Sequence, residues 1–410
     1  MILNKLQHFD ASKYNNQAVR LTAAGERSLI NGHPWIFSNS ILKIKPTAKT
    51  GDLCVIFNKS GKKILGVGLF DENSPIRIKV LSNEGGVKID KSFFKSLILN
   101  AFKKRIPLFD TNTNSFRLIY GENDYLPSLI IDVYNDVIVI KLYSVIWCRF
   151  LTQIIEVILE ELTVSAIILR LSRNTDKELN GLLDDGDLLY GKLHNPIVPF
   201  FEHGVQFSAN VISGHKTGYF LDHRENRRRV GLISKNKKVL DIFSYAGGFS
   251  VHALTSGAKS VTSLDISSQA LLIAKQNASL NSFIGKHITI ADDAFVAMNK
   301  LIAKKEVYDV VVIDPPSFAK SKSEISLAKK KYKQLAEIGA KLTAKNGYLI
   351  LASCSSRIVA DSFFEMNKQG LNQSNRYFIL EKKTFHDIDH PIRIPEGAYL
   401  KCGYYKFIDE

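Results

Sequence analysis

Beyond Pro199 the chain alternates short apolar runs with stretches whose apolar positions recur every three to four residues. KKVLDIF precedes Gly248 to Ser256, SVTSLDI precedes SSQALLIAKQNASLN, and HITIAD precedes DAFVAMNKLIAKK. YDVVVID then leads to a helical stretch around Leu327 to Leu342, and GYLILASC to another. Strands that are apolar throughout are buried on both faces. With helices between them they predict parallel β-α units in a doubly wound α/β sheet. The last two runs, RYFILEKKTF and AYLKCGYYKFI, have no helix between them and predict an antiparallel pair closing one edge.

The first half has a different rhythm. Up to about residue 90, short β-type runs such as GDLCVIFNKSGKKILGVGLF and SPIRIKVL are broken by Gly, Pro and Asn, which describes a small β-rich module. SFFKSLILNAFKKRI then reads as an amphipathic helix. SFRLIYG, SLIIDVYNDVIVIKLYS, a helix near Val145 to Leu162, and SAIILR follow it. That order predicts an α+β module with an antiparallel sheet and a hairpin turning at Asn135-Asp136. Gly186 to Pro199, rich in Gly, Asp and Pro, separates this module from the β-α units.

A chain of 410 residues exceeds what one core usually serves. Its formal charge of +15 favours a polyanionic partner such as nucleic acid, although a general basic bias would produce the same number. The first twenty residues contain no long apolar run, so neither a signal peptide nor a membrane span is expected, and a cytoplasmic location follows. Cys54, Cys148, Cys354 and Cys402 are too far apart for a zinc clamp or a compact disulfide framework, so no metal is expected.

The candidate chemistry lies where the apolar runs end. In doubly wound sheets ligands bind beyond the carboxyl ends of the strands, near the first strand-to-helix turn. Here that turn lies in VLDIFSYAGGFS, with Asp241 at the strand end and Gly247 and Gly248 in the turn. Phe243, Ser244 and Tyr245 stand where a pyrophosphate-binding turn would keep its residues small, which disfavours a dinucleotide. Asp265, twenty-four residues after Asp241, ends the second strand and is placed to accept hydrogen bonds from a ribose diol. Asp292 and Asp293 end the third, where an adenine amino group could be met. Each acid alone is equally a helix cap. Together they describe an adenosyl ligand without phosphates, and S-adenosylmethionine fits.

The fourth run ends in Asp314-Pro315-Pro316, a rigid loop lacking two backbone donors, whose carbonyls and carboxylate can face a planar base. The fifth ends LILASCSSR and puts Cys354 at the same edge. A cysteine ending a buried strand is most often a small hydrophobe. Next to a methyl donor it has another use. Thiolate addition at carbon 6 of cytosine makes carbon 5 nucleophilic, and a carboxylate stabilises the protonated ring. Cys354 and Asp314 are the candidates for those roles.

HPWIFSNSI, GENDYLPSLIIDVY, SGHKTGYFLDHRENR, DIFSYAGGFS, DPPSFAKSK, SCSS and HPIRIPEGAYLK occur in this order over almost the whole chain. Together they resemble the bacterial large-subunit (23S) rRNA cytosine-5 methyltransferases that carry an N-terminal PUA domain. The resemblance implies a PUA-like RNA-binding domain at 17–90, a central α+β domain at 91–190 and a Rossmann-like class I methyltransferase domain at 200–410. It implies S-adenosylmethionine as methyl donor, Cys354 as nucleophile, and a segment that closes over the cofactor with Lys216, Thr217, Gly218, Phe220 and Asp222. The set expected at the cofactor is completed by Asp241, Phe243, Ser244, Tyr245, Gly247, Gly248, Asp265, Asp292, Asp293, Asp314 and Pro315. His215 and His223 read more simply as solvated or helix-end residues. Ser317 departs from relatives that often have Lys after the two prolines.

For the RNA, two basic clusters are candidate phosphate contacts: Arg224, Arg227, Arg228 and Arg229, and Lys320, Lys322, Lys329, Lys330, Lys331 and Lys333. Phe318 or Tyr245 could stack on an extruded base. His33, Trp35 and Phe37 form a candidate RNA-facing patch, though Trp35 taken alone reads as core. Three alternatives stand beside this reading: methylation of a guanine or adenine nitrogen without a covalent step, an inactive RNA-binding assembly factor, and a nicotinamide dehydrogenase. No segment declares an interface, so a homodimer stays open.

Overall fold

The structure, a computed structural model, describes residues 2–9, 14–319 and 321–408. The chain divides into two compact units: Met1–Phe200 with Ser208–Leu221 and Ile388–Ile394, and Phe201–Phe207 with Asp222–Asp387 and Pro395–Glu410. Among the described residues no helix is long and apolar enough to cross a membrane.

The first unit contains two sheets. The N-terminal one has six strands in the order Trp35–Phe37, Ile76–Ser82, Ile64–Phe70, Leu53–Phe57, Asn16–Leu21 and Ile41–Lys43. Its core gathers Val19, Leu21, Ile36, Cys54, Ile56, Ile78 and Val80. The five-stranded sheet runs Leu188–Gly191, Ala166–Leu171, Val137–Leu142, Leu129–Tyr134 and Ser115–Tyr120. Its hairpin turns at Asn135-Asp136 with Tyr134 opposite Val137, and Asn135 takes the left-handed conformation (φ 57°) that a two-residue turn needs.

One expectation is corrected here. The five-stranded sheet is mixed, because Ala166–Leu171 pairs parallel to Val137–Leu142. The helix Leu151–Glu161 between them is a crossover connection, which a parallel pair requires. Its Ile154, Ile155, Val157 and Ile158 are buried on this sheet's core.

The second unit is built on a seven-stranded sheet: β1 (Lys238–Ile242), β2 (Ser260–Asp265), β3 (Lys286–Ala291), β4 (Tyr308–Ile313), β5 (Thr343–Ser353), β6 (Phe378–Thr384) and β7 (Lys401–Phe407). Their order is β3-β2-β1-β4-β5-β7-β6. The first five are parallel, and β7 lies antiparallel between β5 and β6. The α/β doubly wound expectation with an antiparallel edge is what the sheet shows. The helices of this unit are α1 (Arg224–Leu232), α2 (Gly248–Thr255), α3 (Ser268–Ser279), α4 (Ala294–Ala303), α5 (Ile325–Leu342) and α6 (Ala360–Asn372). The apolar stripe of α5, including Ala328, Tyr332, Leu335 and Ala336, packs on the sheet core with Val311, Ile313, Leu349 and Leu351. The chain leaves β1 toward β2 on one side and returns as β4 on the other, with Ile242 paired to Ile313. Ligands bind at such a reversal of strand order.

Candidate active site

At the end of β1 the backbone folds back sharply on itself. Phe243 (φ 63°), Tyr245 (φ 46°) and Gly247 (φ 78°) all take left-handed conformations. For the two non-glycine residues this costs on the order of 1–3 kcal/mol each, a strain typical of ligand-holding turns. Gly247 is required twice over. Besides its φ, a Cβ there would lie 2.8 Å from the Ala274 Cβ of α3.

Inside this turn Asp241 is fully buried. Its Oδ2 accepts from Ser250 N (3.0 Å) and Ser250 Oγ (2.6 Å), and Ser250 Oγ also lies 2.6 Å from Ser263 Oγ. The Asp241 Oδ1 is buried with no hydrogen-bond partner among the described residues, as is the Ser244 Oγ. Burial raises the Asp241 carboxyl to about 7, even though the Ser250 bonds favour its charged form. A buried acid with an unsatisfied oxygen near a buried hydroxyl suits a cationic, hydrogen-bonding ligand group. The ammonium of a methionine moiety has that chemistry.

Asp265 at the end of β2 organises the turn. Its Oδ2 accepts from Tyr245 N (2.9 Å) and its Oδ1 from Ser267 N (2.9 Å), leaving further lone pairs on both oxygens. Next to it Ile266 is 75% exposed, an apolar surface that sequence reading overlooked. Asp292 and Asp293 take the plainer role. Asp292 Oδ2 accepts from Lys300 Nζ (2.7 Å), and Asp293 caps α4 through Val296 N (3.1 Å).

β4 and β5 bring the proposed reaction residues to one edge. Pro315 is buried with its carbonyl oxygen 4.0 Å from Cys354 Sγ, and Asp314 is partly exposed beside it. Ser353 Oγ donates to Tyr332 OH (2.9 Å) and fixes the end of β5. Burial, with the charges of Asp314 and Asp222, pushes the Cys354 thiol up to about 12. Cys54, Cys148 and Cys402 are buried, whereas Cys354 is partly accessible.

His223, which precedes α1, is not solvated. It is buried, its Nε2 lies 3.4 Å from Asp314 Oδ2, and its ring meets Phe249 edge-on at 5.5 Å. Burial opposes its charged form, but the Asp314 carboxylate outweighs this, and the ring is held above its ordinary 6.5. The Asp222 Oδ2 accepts from Tyr399 OH (2.7 Å). Tyr399 and Lys401 stand in the motif HPIRIPEGAYLK, but nothing local tied them to this group, because β7 reaches β5 only through the fold.

The remaining cofactor candidates, Lys216, Thr217, Gly218 and Phe220, belong to the first unit. Thr217 is buried there, its Oγ1 donating to Asp132 Oδ2 (2.6 Å) and lying 3.0 Å from Tyr134 OH. Lys216 offers its carbonyl to Lys141 Nζ (3.2 Å), and Phe220 is 38% exposed.

The arginine cluster is a second correction. Arg224 and Arg227 are buried and ion-paired, Arg224 with Asp387 (2.9 Å) and Arg227 with Glu202 through two 2.7 Å bonds. Arg228 and Arg229 share Glu225. These charges are spent inside the second unit and do not form a free phosphate track. Lys322, Lys329 and Lys330 are exposed, and Lys331 lies over the Phe318 ring at 5.0 Å. Lys333 is half-buried, and Lys320 lies outside the described residues. Phe318 itself packs edge-on against Tyr332, which leaves it less free to stack. Trp35 is half-buried, not core. Its Nε1 donates to Glu122 Oε1 (3.0 Å), and its ring meets His33 and Phe37 edge-on.

Residues 191–390 match the S-adenosylmethionine-dependent methyltransferase family, and residues 19–83 match a PUA-like domain. A Deinococcus radiodurans protein named ribosomal RNA large subunit methyltransferase is 36% identical over 401 residues, covering 96% of this chain and 98% of its own. An Escherichia coli O157:H7 protein named ribosomal RNA large subunit methyltransferase I is 33% identical over 390 residues, covering 94% and 98%. Among solved structures, a methyltransferase described as SMU.776, complexed with SAH, superposes with a TM-score of 0.79 at 20% identity, covering 95% of this chain and 99% of that one. Fold and relatives over nearly the full length agree, and the chain belongs to the family of S-adenosylmethionine-dependent ribosomal RNA large subunit methyltransferases.

Proposed function

We propose that this protein methylates carbon 5 of a cytosine in 23S rRNA, in the cytoplasm, through a covalent adduct with Cys354. The observation that carries the reading is the convergence of Cys354 and the Asp314-Pro315-Pro316 loop at the ends of adjacent parallel strands, 4.0 Å apart at Sγ and the Pro315 carbonyl. Relatives named as large-subunit rRNA methyltransferases support the substrate class. The six-stranded module serves as the PUA-like RNA-binding domain, the five-stranded module as the central domain and the second unit as the catalytic one.

Bound S-adenosylmethionine supplies an electrophilic methyl group. Asp241 and Ser244 are suited to its methionine end, Asp265 to its ribose, and Ile266 to an apolar face of its purine. The Cys354 sulfur adds to carbon 6 of the extruded cytosine, and the ring electrons shift through carbon 4 to nitrogen 3, which takes up a proton. Asp314 faces that protonated edge and stabilises it, leaving carbon 5 electron-rich. A nitrogen target would need the Asp-Pro-Pro loop but no thiol. In the amino methyltransferases that use it an aromatic residue follows the second proline, whereas here Ser317 intervenes before Phe318.

The test is covalent trapping. The protein, S-adenosylmethionine and large-subunit rRNA containing 5-fluorocytidine should give a denaturation-resistant adduct that Cys354→Ala abolishes. Methylated RNA without an adduct, from a Cys354→Ala variant that stays active, would transfer the assignment to a nitrogen.

A further inference from the structure

Lys401 is 1% exposed, a cation taken almost wholly out of water. Its Nζ donates to two backbone carbonyls, those of Ser355 and Tyr399 (3.0 Å), and no carboxylate lies within ion-pair distance among the described residues. Buried Arg105, Arg227 and Lys79 are paired with Asp124, Glu202 and Asp71, whereas buried Lys141, like Lys401, donates only to carbonyls, those of Leu171 and Lys216. A buried ammonium facing only neutral oxygens is costly.

β7 pairs antiparallel with β5 so that Lys401 lies directly opposite Ser353, one residue before Cys354. The carbonyl it holds belongs to Ser355, one residue after, so the ammonium grips the turn that presents the sulfur. The titratable groups acting on Cys354 come from every side: Asp314 after β4, Asp222 before α1, Tyr332 on α5 and Lys401 on β7. Two are carboxylates that oppose a thiolate, one is a phenol, and Lys401 is the cation among them.

We infer that Lys401 is a positioning residue whose buried ammonium is the counter-ion of the Cys354 thiolate. This rests on the reading of Cys354 as nucleophile. The two groups titrate as a pair. Burial brings the ammonium down to about 8 and the thiol up to about 12, while each favours the charged form of the other.

The shape of the Cys354 alkylation profile tests this without RNA. Iodoacetamide labelling of the intact protein is followed by peptide mass spectrometry from pH 6 to 10, with the three buried cysteines as internal controls. In the wild type the rate rises tenfold per pH unit to about 8, levels over about one pH unit, where the thiolate-ammonium and thiol-amine forms carry the same number of protons and keep a fixed ratio, and rises again once the thiolate-amine form takes over. Lys401→Met is expected to react about tenfold more slowly or worse at pH 7, and to keep rising through pH 10 without the plateau. Lys401→Arg restores the rate below pH 8 and likewise shows no plateau, because its charge persists.

A Lys401→Met profile that overlays the wild type, or is displaced downward with its plateau intact, overturns the inference. S-adenosylhomocysteine calorimetry on each variant establishes that it is folded. Should Met destabilise the turn, the Arg profile alone decides, since a retained plateau would exclude Lys401 as its source. Failure of wild-type RNA trapping would overturn the carbon-5 reading and leave this profile unaffected, so the two can fail separately.

Discussion

His223 Nε2 stands 3.4 Å from Asp314 Oδ2, the imidazole buried and the carboxylate open to the ligand edge. This separation is longer than a formed hydrogen bond, and such contacts tighten when a catalytic complex assembles. Because the ring is held above its ordinary 6.5 by Asp314, the pair's contribution to stability is complete below pH 6.5 and is lost as pH rises through the folded value. His223→Gln should therefore cost about 1.5–3 kcal/mol at pH 6 and distinctly less at pH 9. Urea unfolding at the two values measures it, and equal costs would show that the pair carries no charge.

Asp241 shifts stability with pH in the same direction, but through a penalty on its charged form. Its carboxyl is raised from 3.8 to about 7, so the apoprotein loses stability as pH rises across that interval. Asp241→Asn removes the penalty. At pH 8 it should be more stable than the wild type by on the order of 2 kcal/mol, a melting-temperature gain of a few degrees. The same change should weaken S-adenosylhomocysteine binding at least about tenfold. Wild-type affinity should strengthen between pH 6 and 8 as the carboxylate forms. Calorimetry at both pH values checks the pair of expectations.

The two basic clusters should separate cleanly. Arg227→Met leaves Glu202 buried and charged, and a loss of about 3–5 kcal/mol is expected in thermal unfolding. Lys329→Ala with Lys330→Ala should leave the melting temperature nearly unchanged. The slope of log K for rRNA against log salt should fall by about 1.5 if both lysines meet phosphates. An unchanged slope would remove them from the RNA surface.

Thr217 is braced against Asp132, whose buried carboxylate also receives two bonds from Arg117. Thr217→Val deletes one of these donors at nearly constant volume and should cost about 1–3 kcal/mol. If the cost is absent while cofactor binding is lost, the hydroxyl is committed to ligand and not to scaffold.

The parallel β-α succession from β1 to β5 and the acids at its strand ends were legible in the sequence, because apolar runs and helical periodicity are local signals. The insertion of β7 between β5 and β6 was not. Antiparallel runs fit either order, and the choice depends on which edge β5 offers. Arg227 read as a candidate phosphate contact because its partner Glu202 lies twenty-five positions earlier, on another element. His223 does stand at a helix end, as the cap of α1, but its burial was missed for the same reason, since its partner Asp314 lies ninety-one positions further along. Chemistry at one strand end can be read from a motif, but the counter-charges that tune it come from distant chain.

Ile388–Ile394 belongs to the first unit although it follows nearly all of the second. The buried guanidinium of Arg105 donates to the Asp389 carbonyl (3.1 Å), Arg117 N donates to Asp389 Oδ2 (3.0 Å), and Arg393 N donates to Asn123 Oδ1 (2.8 Å). During synthesis the first unit must therefore wait for Ile388–Ile394 before its polar interior is complete. The protein cannot mature strictly from one end to the other. A ribosome stalled after residue 380 would carry a nascent chain whose oldest half is still unfinished.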